Sequence, residues 1–108
     1  MSSQSPRILS TKSRAEEVYN DFQREVLSEK AATLGRAGKA LEAALARLRG
    51  AGEADDRNAL VQAAADAAHA YLIQREAAGI HGLGQPLADF GVPGEVRVRI
   101  GARPRAPE

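Results

Sequence analysis

Small and leucine side chains follow one straight line along the first half of the chain. The steps between them alternate between four and three residues, at positions Leu27, Ala31, Leu34, Gly38, Leu41, Leu45 and Leu48. Side chains three and four residues apart stack on one face of an α-helix. The pattern therefore predicts a long helix that buries this seam against a second helix.

End signals place this first helix at residues 13–50. Ser13 and Glu16 have the S-x-x-E spacing of a capping box, and Gly50 is a typical residue after a helix end. Residues 1–12 show no periodicity, so we expect them to form a disordered N-terminal arm.

An earlier set of apolar residues lies about a quarter turn away from the seam at 100° per residue. This set is Ala15, Tyr19, Phe22 and Val26. The helix must therefore bend or meet two partners, and Gly35 and Gly38 mark its weakest point. We favour a continuous helix with close packing at Gly38 and keep a break between the two glycines as the alternative.

A second helix is predicted from a cap at Asp55 or Asp56 to about Ala78, with Gly79 and Ile80 as its stop signal. Its apolar face would consist of Leu60, Ala64, Ala67, Ala68, Tyr71, Leu72 and Ala78. Because the connection is short, the two helices should be antiparallel neighbours.

The C-terminal part contains shorter elements. Pro86 and Gly91 bracket a short helix over 85–90. Residues 94–100 alternate as in a strand, but Pro93 before them and the lack of a second strand favour a helix. The predicted organisation is an arm at 1–12, one helical domain at 13–101 and a flexible basic tail at 102–108.

The predicted fold class is all-α, an antiparallel helical hairpin with one or two short C-terminal helices. The first helix should outreach the second by about a dozen residues. Its early apolar residues then need cover from the same chain or from a second subunit. Cover from the same chain would come from Leu83, Leu87, Phe90 and Val92. Two helices alone rarely exclude enough water, so we expect a homodimer that forms a four-helix bundle. The candidate interface residues are Tyr19, Phe22, Val26, Leu34, Leu41 and Arg75.

Composition narrows the function classes. Fifteen Lys and Arg against 14 Asp and Glu give a net charge of +1, so no global field attracts nucleic acid or anionic lipid. The chain has no cysteine, which excludes a disulfide framework and a thiolate nucleophile. No apolar run is long enough for a signal peptide or a membrane span, so we expect a cytoplasmic protein without membrane contact.

Arg75 falls in the middle of the apolar face of the second helix, between Tyr71 and Ala78. A charged group there needs a partner. The favoured interpretation is a structural pair with a glutamate or with carbonyl groups near Phe90, and the alternative is an anchor for an anion or a partner carboxylate.

Candidate chemistry is sparse. Asp66 and His69 have the D-x-x-H spacing of metal ligands in helical bundles, but the helical wheel turns both toward solvent. His81 lies in a glycine-rich turn without a neighbouring nucleophile. We therefore predict no enzyme activity, no cofactor and no metal site, and keep a metal-binding bundle as an alternative.

Four arginines gather near the C-terminus, at Arg97, Arg99, Arg103 and Arg105. They could contact phosphate, which makes a small nucleic-acid-associated regulator the second alternative. No aromatic residues are interleaved with them and no helix-turn-helix pattern is present, so a solvated tail is favoured and nucleic-acid binding is not expected.

Three stretches together resemble a known family. They are SEKAATLGRAGKALEAAL at 28–45, LIQREAAGI at 72–80 and DFGVPGEVRVRIG at 89–101. The family consists of short, uncharacterised bacterial helical proteins. The resemblance implies a helical fold and transfers no catalytic residue. With it, the sequence favours a non-catalytic protein that acts through self-association and an unknown protein partner.

Overall fold

Four helices make up the part of the chain that the computed structural model describes, which is residues 6–80 and 84–102, with side chains from Ser13 onward. The helices are α1 (Pro6–Arg49), α2 (Arg57–Ala77), α3 (Pro86–Asp89) and α4 (Gly94–Arg97). No strand occurs within these residues. The all-α prediction is confirmed, and the helix chosen over a strand at 94–100 is correct in its first half.

The first helix begins earlier than its capping signal indicates. It starts at Pro6, so Ser13 lies within the helix and the predicted start was wrong. Proline suits the first turn, where its missing N–H has no partner to lose. An S-x-x-E spacing caps only where the chain leaves the helix, and no glycine or proline stops the backbone between Pro6 and Ser13. Of the predicted arm, residues 6–12 are helical and 1–5 lie outside the described residues.

The helix α1 runs without a break through Gly35 and Gly38, as the favoured prediction had it. Beyond Gly38 it packs against α2 and forms the hydrophobic core. The buried residues of the two helices are Leu41, Ala44, Leu45 and Leu48 on α1, and Val61, Ala64, Ala65 and Ala68 on α2. The seam prediction is confirmed from Gly38 to Leu48, whereas Leu27 and Ala31 are exposed.

Both ends of α2 carry the predicted signals. Asp56 precedes it, and an Oδ1 of Asp56 accepts a hydrogen bond from the backbone N–H of Ala59 at 3.1 Å. At the other end Gly79 has φ +81°, and the N–H of Ile80 donates to the carbonyl of Arg75 at 3.1 Å. This left-handed turn satisfies the last carbonyl groups of the helix.

The short helices close one side of the hairpin. Val92 and Val96 enter the core cluster from the segment around α4, which packs on α2. Two arginines connect this segment to the long helices. Arg49 of α1 donates to the carbonyl of Phe90 at 3.4 Å, and Arg57 of α2 forms an ion pair with Glu95 of α4. These pairs have no signal in the local sequence pattern, because their partners are about forty positions apart.

The molecule is elongated. Its principal extents are 77 × 31 × 22 Å and its radius of gyration is 21.9 Å, against about 13 Å for a compact domain of this length. We call residues 33–80 and 84–102 the lobe, and residues 6–32 of α1 the projecting segment. The projecting segment is about 40 Å long at 1.5 Å per residue, so the overhang is roughly twice the predicted one. About half of the difference arises because α1 starts seven residues early, and the rest because the lobe covers α1 only from residue 33 onward.

Candidate functional site

Over residues 13–32, the projecting segment is not covered by the other described parts of the chain. From Ser13 to Ala32 every side chain is exposed except that of Val26, which is half-buried. One side of this segment carries a group of apolar side chains that we call the aromatic face. Its members are Ala15, Val18, Tyr19, Phe22 and Val26. Val18 was not among the predicted interface residues, although its position beside Tyr19 could have indicated it.

The two rings of the aromatic face are well exposed. Tyr19 is 62% exposed and Phe22 is 61% exposed. The polar contacts of the segment are local: Gln23 donates to the hydroxyl of Tyr19 at 3.2 Å, and Arg24 pairs with Asp21 one turn away. These contacts support the helix and leave the rings free on their outer side.

Two alternatives were open for covering the aromatic face, the same chain or a second subunit, and the described residues do not provide the first. Val92 is buried in the core, and Leu87 and Phe90 are packed against that core. Leu83 lies outside the described residues. The three described candidates for cover from the same chain therefore belong to the lobe and leave Tyr19 and Phe22 exposed.

Phe90 instead pairs with Tyr71 over Gly38. The ring centroids are 4.9 Å apart with an interplanar angle of 68°, an edge-to-face arrangement. A Cβ on Gly38 would lie 3.4 Å from the Tyr71 ring, so the missing side chain makes room for aromatic edges. We had expected close packing at Gly38, and the group that approaches it most closely is this ring pair.

The remaining interface candidates on α1 fall inside the lobe. Leu41 is fully buried in the core, and Leu34 is half-buried at the edge of the lobe. Leu41 is therefore used by the fold itself, whereas Tyr19 and Phe22 are available to a partner.

Arg75 is half-buried and does not lie in the core. Its guanidinium lies beside Gly84, where a Cβ would be 3.7 Å from Nη2, and among the described residues it makes no hydrogen bond. The expected pairing of Arg75 with a glutamate or with carbonyl groups near Phe90 is therefore not seen among the described residues, and the carbonyl of Phe90 accepts from Arg49. A helical wheel gives the direction of a side chain but not its depth in the fold, which is why Arg75 was expected at the core.

Two of the four C-terminal arginines are tied to the fold. Arg97 Nε donates to the carbonyl of Val92 at 2.9 Å, and Arg99 donates to the carbonyl of Asn58 at 3.3 Å. Arg103 and Arg105 lie outside the described residues. Each of the two described arginines thus uses an N–H group to hold a backbone carbonyl of the lobe.

The D-x-x-H pair is exposed, as the helical wheel indicated. Asp66 accepts a hydrogen bond from Gln62 at 2.9 Å, and the ring of His69 lies against Gly101. Within residues 13–80 and 84–102, no group of three or more His, Asp or Glu is placed to hold a metal ion. His81 belongs to the three residues 81–83 that are not described.

Two shallow clefts occur on the lobe. One of about 290 Å³ is lined by Leu72, Gln85, Pro86, Leu87, Ala88 and Arg97. The other, of about 230 Å³, is lined by Leu45, Leu48, Arg49, Arg57, Pro93 and Glu95. Neither lining contains a nucleophile next to a base, and the charged groups of the second cleft already bind one another or Phe90. These clefts supply no reactive arrangement.

Across the described helices, none has the length and apolar character that a membrane crossing requires. Most of the large exposed apolar side chains of α1 lie on the aromatic face, whereas Leu27, which is 60% exposed, lies about a quarter turn away from it. An apolar face of this kind is typical of a helix that packs against another helix.

The comparisons with known proteins agree with the helical resemblance seen in the sequence. Neither the curated proteins nor the solved structures contain a match to the chain. A family of proteins does match, over residues 5–108 and therefore over both the projecting segment and the lobe. The chain belongs to this family, which is described as "Family of unknown function (DUF6665)".

Proposed function

We propose that this protein is a non-catalytic interaction protein that acts by helix–helix association through the aromatic face of the projecting segment, with a homodimer as its basic form. The observation that carries the proposal is the exposure of Val18, Tyr19 and Phe22, each between 61% and 70%, on a helix that extends away from its own core. The lobe then anchors the segment and the segment makes the contact.

The size of the aromatic face fits an interface. Aromatic side chains bury roughly 150–250 Å² each. The two partly exposed rings and the three smaller side chains of the aromatic face therefore offer together on the order of 400 Å² of apolar surface. A standard interface buries about 800 Å² per partner, of which a little more than half is apolar. The aromatic face thus supplies about the apolar share of one interface.

Association through the aromatic face would also stabilise the projecting segment as a helix. Nucleating a helix in water is unfavourable, and most helical stability in proteins comes from packing of an apolar face. In a monomer the described side chains of the projecting segment, those of residues 13–32, make local polar contacts along the helix, such as Gln23 with Tyr19 and Arg24 with Asp21. Association would add the packing that this segment lacks.

The unpartnered apolar surface lies on α1 and not on the outside of the hairpin. On α2 the only large apolar side chain that is well exposed in the described residues is Ile73, at 49%. A four-helix bundle would need an apolar outer face on both helices. We therefore propose a dimer that joins through the projecting segments in place of the expected four-helix bundle.

Light scattering of the purified full-length chain tests the proposal. The wild type should show twice the chain mass of 11.4 kDa at micromolar and higher concentrations. Phe22→Glu should shift the species to the monomer mass, because a carboxylate buried in an apolar contact lacks a partner. Val98→Glu is the matched control, since Val98 is 79% exposed on the lobe and its variant should remain dimeric. A monomeric wild type up to near-millimolar concentration would overturn the proposal.

A further inference from the structure

The aromatic face is part of a longer heptad pattern. Steps of four and three residues lead along α1 through Ala15, Tyr19, Phe22, Val26, Glu29 and Thr33. The helix backbone is described from Pro6, so the same steps reach back to position 12, which is a lysine in the sequence. A repeat of 3.5 residues is the period at which two helices stay in contact as a coiled coil.

The pattern is symmetric about a point midway between Tyr19 and Phe22. Reversing the direction of the helix about that point places Tyr19 at the level of Phe22, Ala15 at the level of Val26, and position 12 at the level of Glu29. Apolar positions then meet apolar positions, and a small side chain meets a larger one.

We propose that the occupant of the aromatic face is the projecting segment of a second copy, packed antiparallel with its two-fold axis between Tyr19 and Phe22. This inference rests on the proposed function and adds the direction and register of the two helices. It predicts four central layers, two of Tyr19 with Phe22 and two of Ala15 with Val26, with one Glu29 beyond them at each end.

Charge decides the direction. In a parallel pair each heptad position meets its own copy, so Glu29 would face Glu29 at the interface. Like charges that meet there are destabilising. A parallel pair would gain one attractive flanking contact, Glu25 with Lys30, but that contact lies on the exposed side where ion pairs contribute little. The antiparallel pair instead keeps the two Glu29 carboxylates about 25 Å apart along the axis.

Length decides the register. In the proposed arrangement position 9 of the second copy lies at the level of Ala32, the last residue of the projecting segment, and Pro6 reaches the level of Gly35, where α1 is still exposed. A shift by one heptad toward the lobe would bring Pro6 to the level of Glu42, where the neighbouring Ala44 is already buried by the lobe. The proposed register therefore pairs the projecting segments over their described length and overlaps only the first three positions of the lobe.

Cysteine cross-linking tests this arrangement directly, because the chain has no cysteine of its own. The variants are Ala15→Cys and Val26→Cys, oxidised singly and as an equimolar mixture after exchange of subunits. In the antiparallel dimer each cysteine lies about 16 Å along the axis from its own copy, well beyond the roughly 7 Å Cα separation that a disulfide spans. The mixture brings residue 15 of one copy next to residue 26 of the other.

The expected result is a disulfide-linked dimer from the mixture and none from either variant alone, with circular dichroism showing that both variants keep their helix content. Cross-linking of the single variants would show a parallel pair and overturn the inference while leaving the proposed function in place. A dimer by light scattering with no cross-link in any sample would also overturn it. A monomeric wild type would remove the proposed function itself.

Discussion

Gly38 shows how one absent side chain organises the lobe. It is buried in the middle of a continuous helix, and the edges of Tyr71 and Phe90 occupy the space that its side chain would take. Gly35, one turn earlier, is exposed and has no atom within 4 Å of where a Cβ would stand. The two glycines weaken the isolated helix equally, but only Gly38 is needed for packing.

The first prediction compares leucine at these two positions. Gly38→Leu should lower the free energy of unfolding by about 1–3 kcal/mol, because the larger side chain displaces the ring pair. Gly35→Leu is the matched control and should raise it by up to about 1 kcal/mol through helix propensity. Urea denaturation followed by circular dichroism measures both changes. Equal effects would contradict the different roles assigned to the two glycines.

The second prediction concerns the arginines of the lobe. Arg97→Ala should cost about 1 kcal/mol of unfolding free energy, because the carbonyl of Val92 loses its donor at 2.9 Å. Arg75→Ala should change the stability by less than about 0.5 kcal/mol, in line with a side chain away from the core. If Arg75 lay in the core, Arg75→Ala would instead cost a few kcal/mol of unfolding free energy. Thermal unfolding of both variants measures these changes, and a loss of that size for Arg75→Ala would mean that Arg75 does lie in the core.

Helix ends show, at the scale of the element, what a sequence pattern can and cannot determine. Asp56 was predicted as one of two possible caps, and it does cap α2. Ser13 had an equally good motif, yet it lies seven residues inside α1. The difference is in the neighbouring residues: the turn before Asp56 contains Gly50 and Gly52, whereas no such residue stops the helix before Ser13.

The third prediction contrasts the two capping motifs. Asp56→Ala should lower the unfolding free energy by about 1 kcal/mol, because the N–H of Ala59 loses its acceptor. Ser13→Ala should cause no loss, since alanine is the better helix former inside a helix. Denaturant titration of the two variants against wild type checks both. A cost for Ser13→Ala similar to that of Asp56→Ala would place a helix end at Ser13 after all.

At the scale of the whole molecule, the sequence predicted the hairpin but not its proportions. The seam from Gly38 to Leu48, the stop at Gly79 and the short C-terminal helices were all readable, since each depends on local spacing. The cover of Tyr19 and Phe22 was not, because apolar residues at helical spacing look the same whether they face their own chain or another. The polar contacts of Arg49 and Arg57 join segments that are distant in the sequence, so no local sequence pattern predicts them.

The fourth prediction follows from the division into lobe and projecting segment. Dilution through the dimer Kd should speed amide hydrogen exchange in residues 13–32, because these residues lose their packing partner. Exchange in the buried part of α2, around Ala64 and Ala68, should not depend on concentration. Exchange measured peptide by peptide at two concentrations checks this. Uniform changes in both regions would mean that segment and lobe open together.

The distribution of tyrosine has a practical optical consequence. The chain contains no tryptophan and two tyrosines, Tyr19 on the projecting segment and Tyr71 beside Phe90 in the lobe. Each half of the molecule therefore carries one intrinsic fluorophore. Replacing either one by phenylalanine leaves an emission signal from the other half alone, so that assembly and unfolding can be followed separately without any added dye.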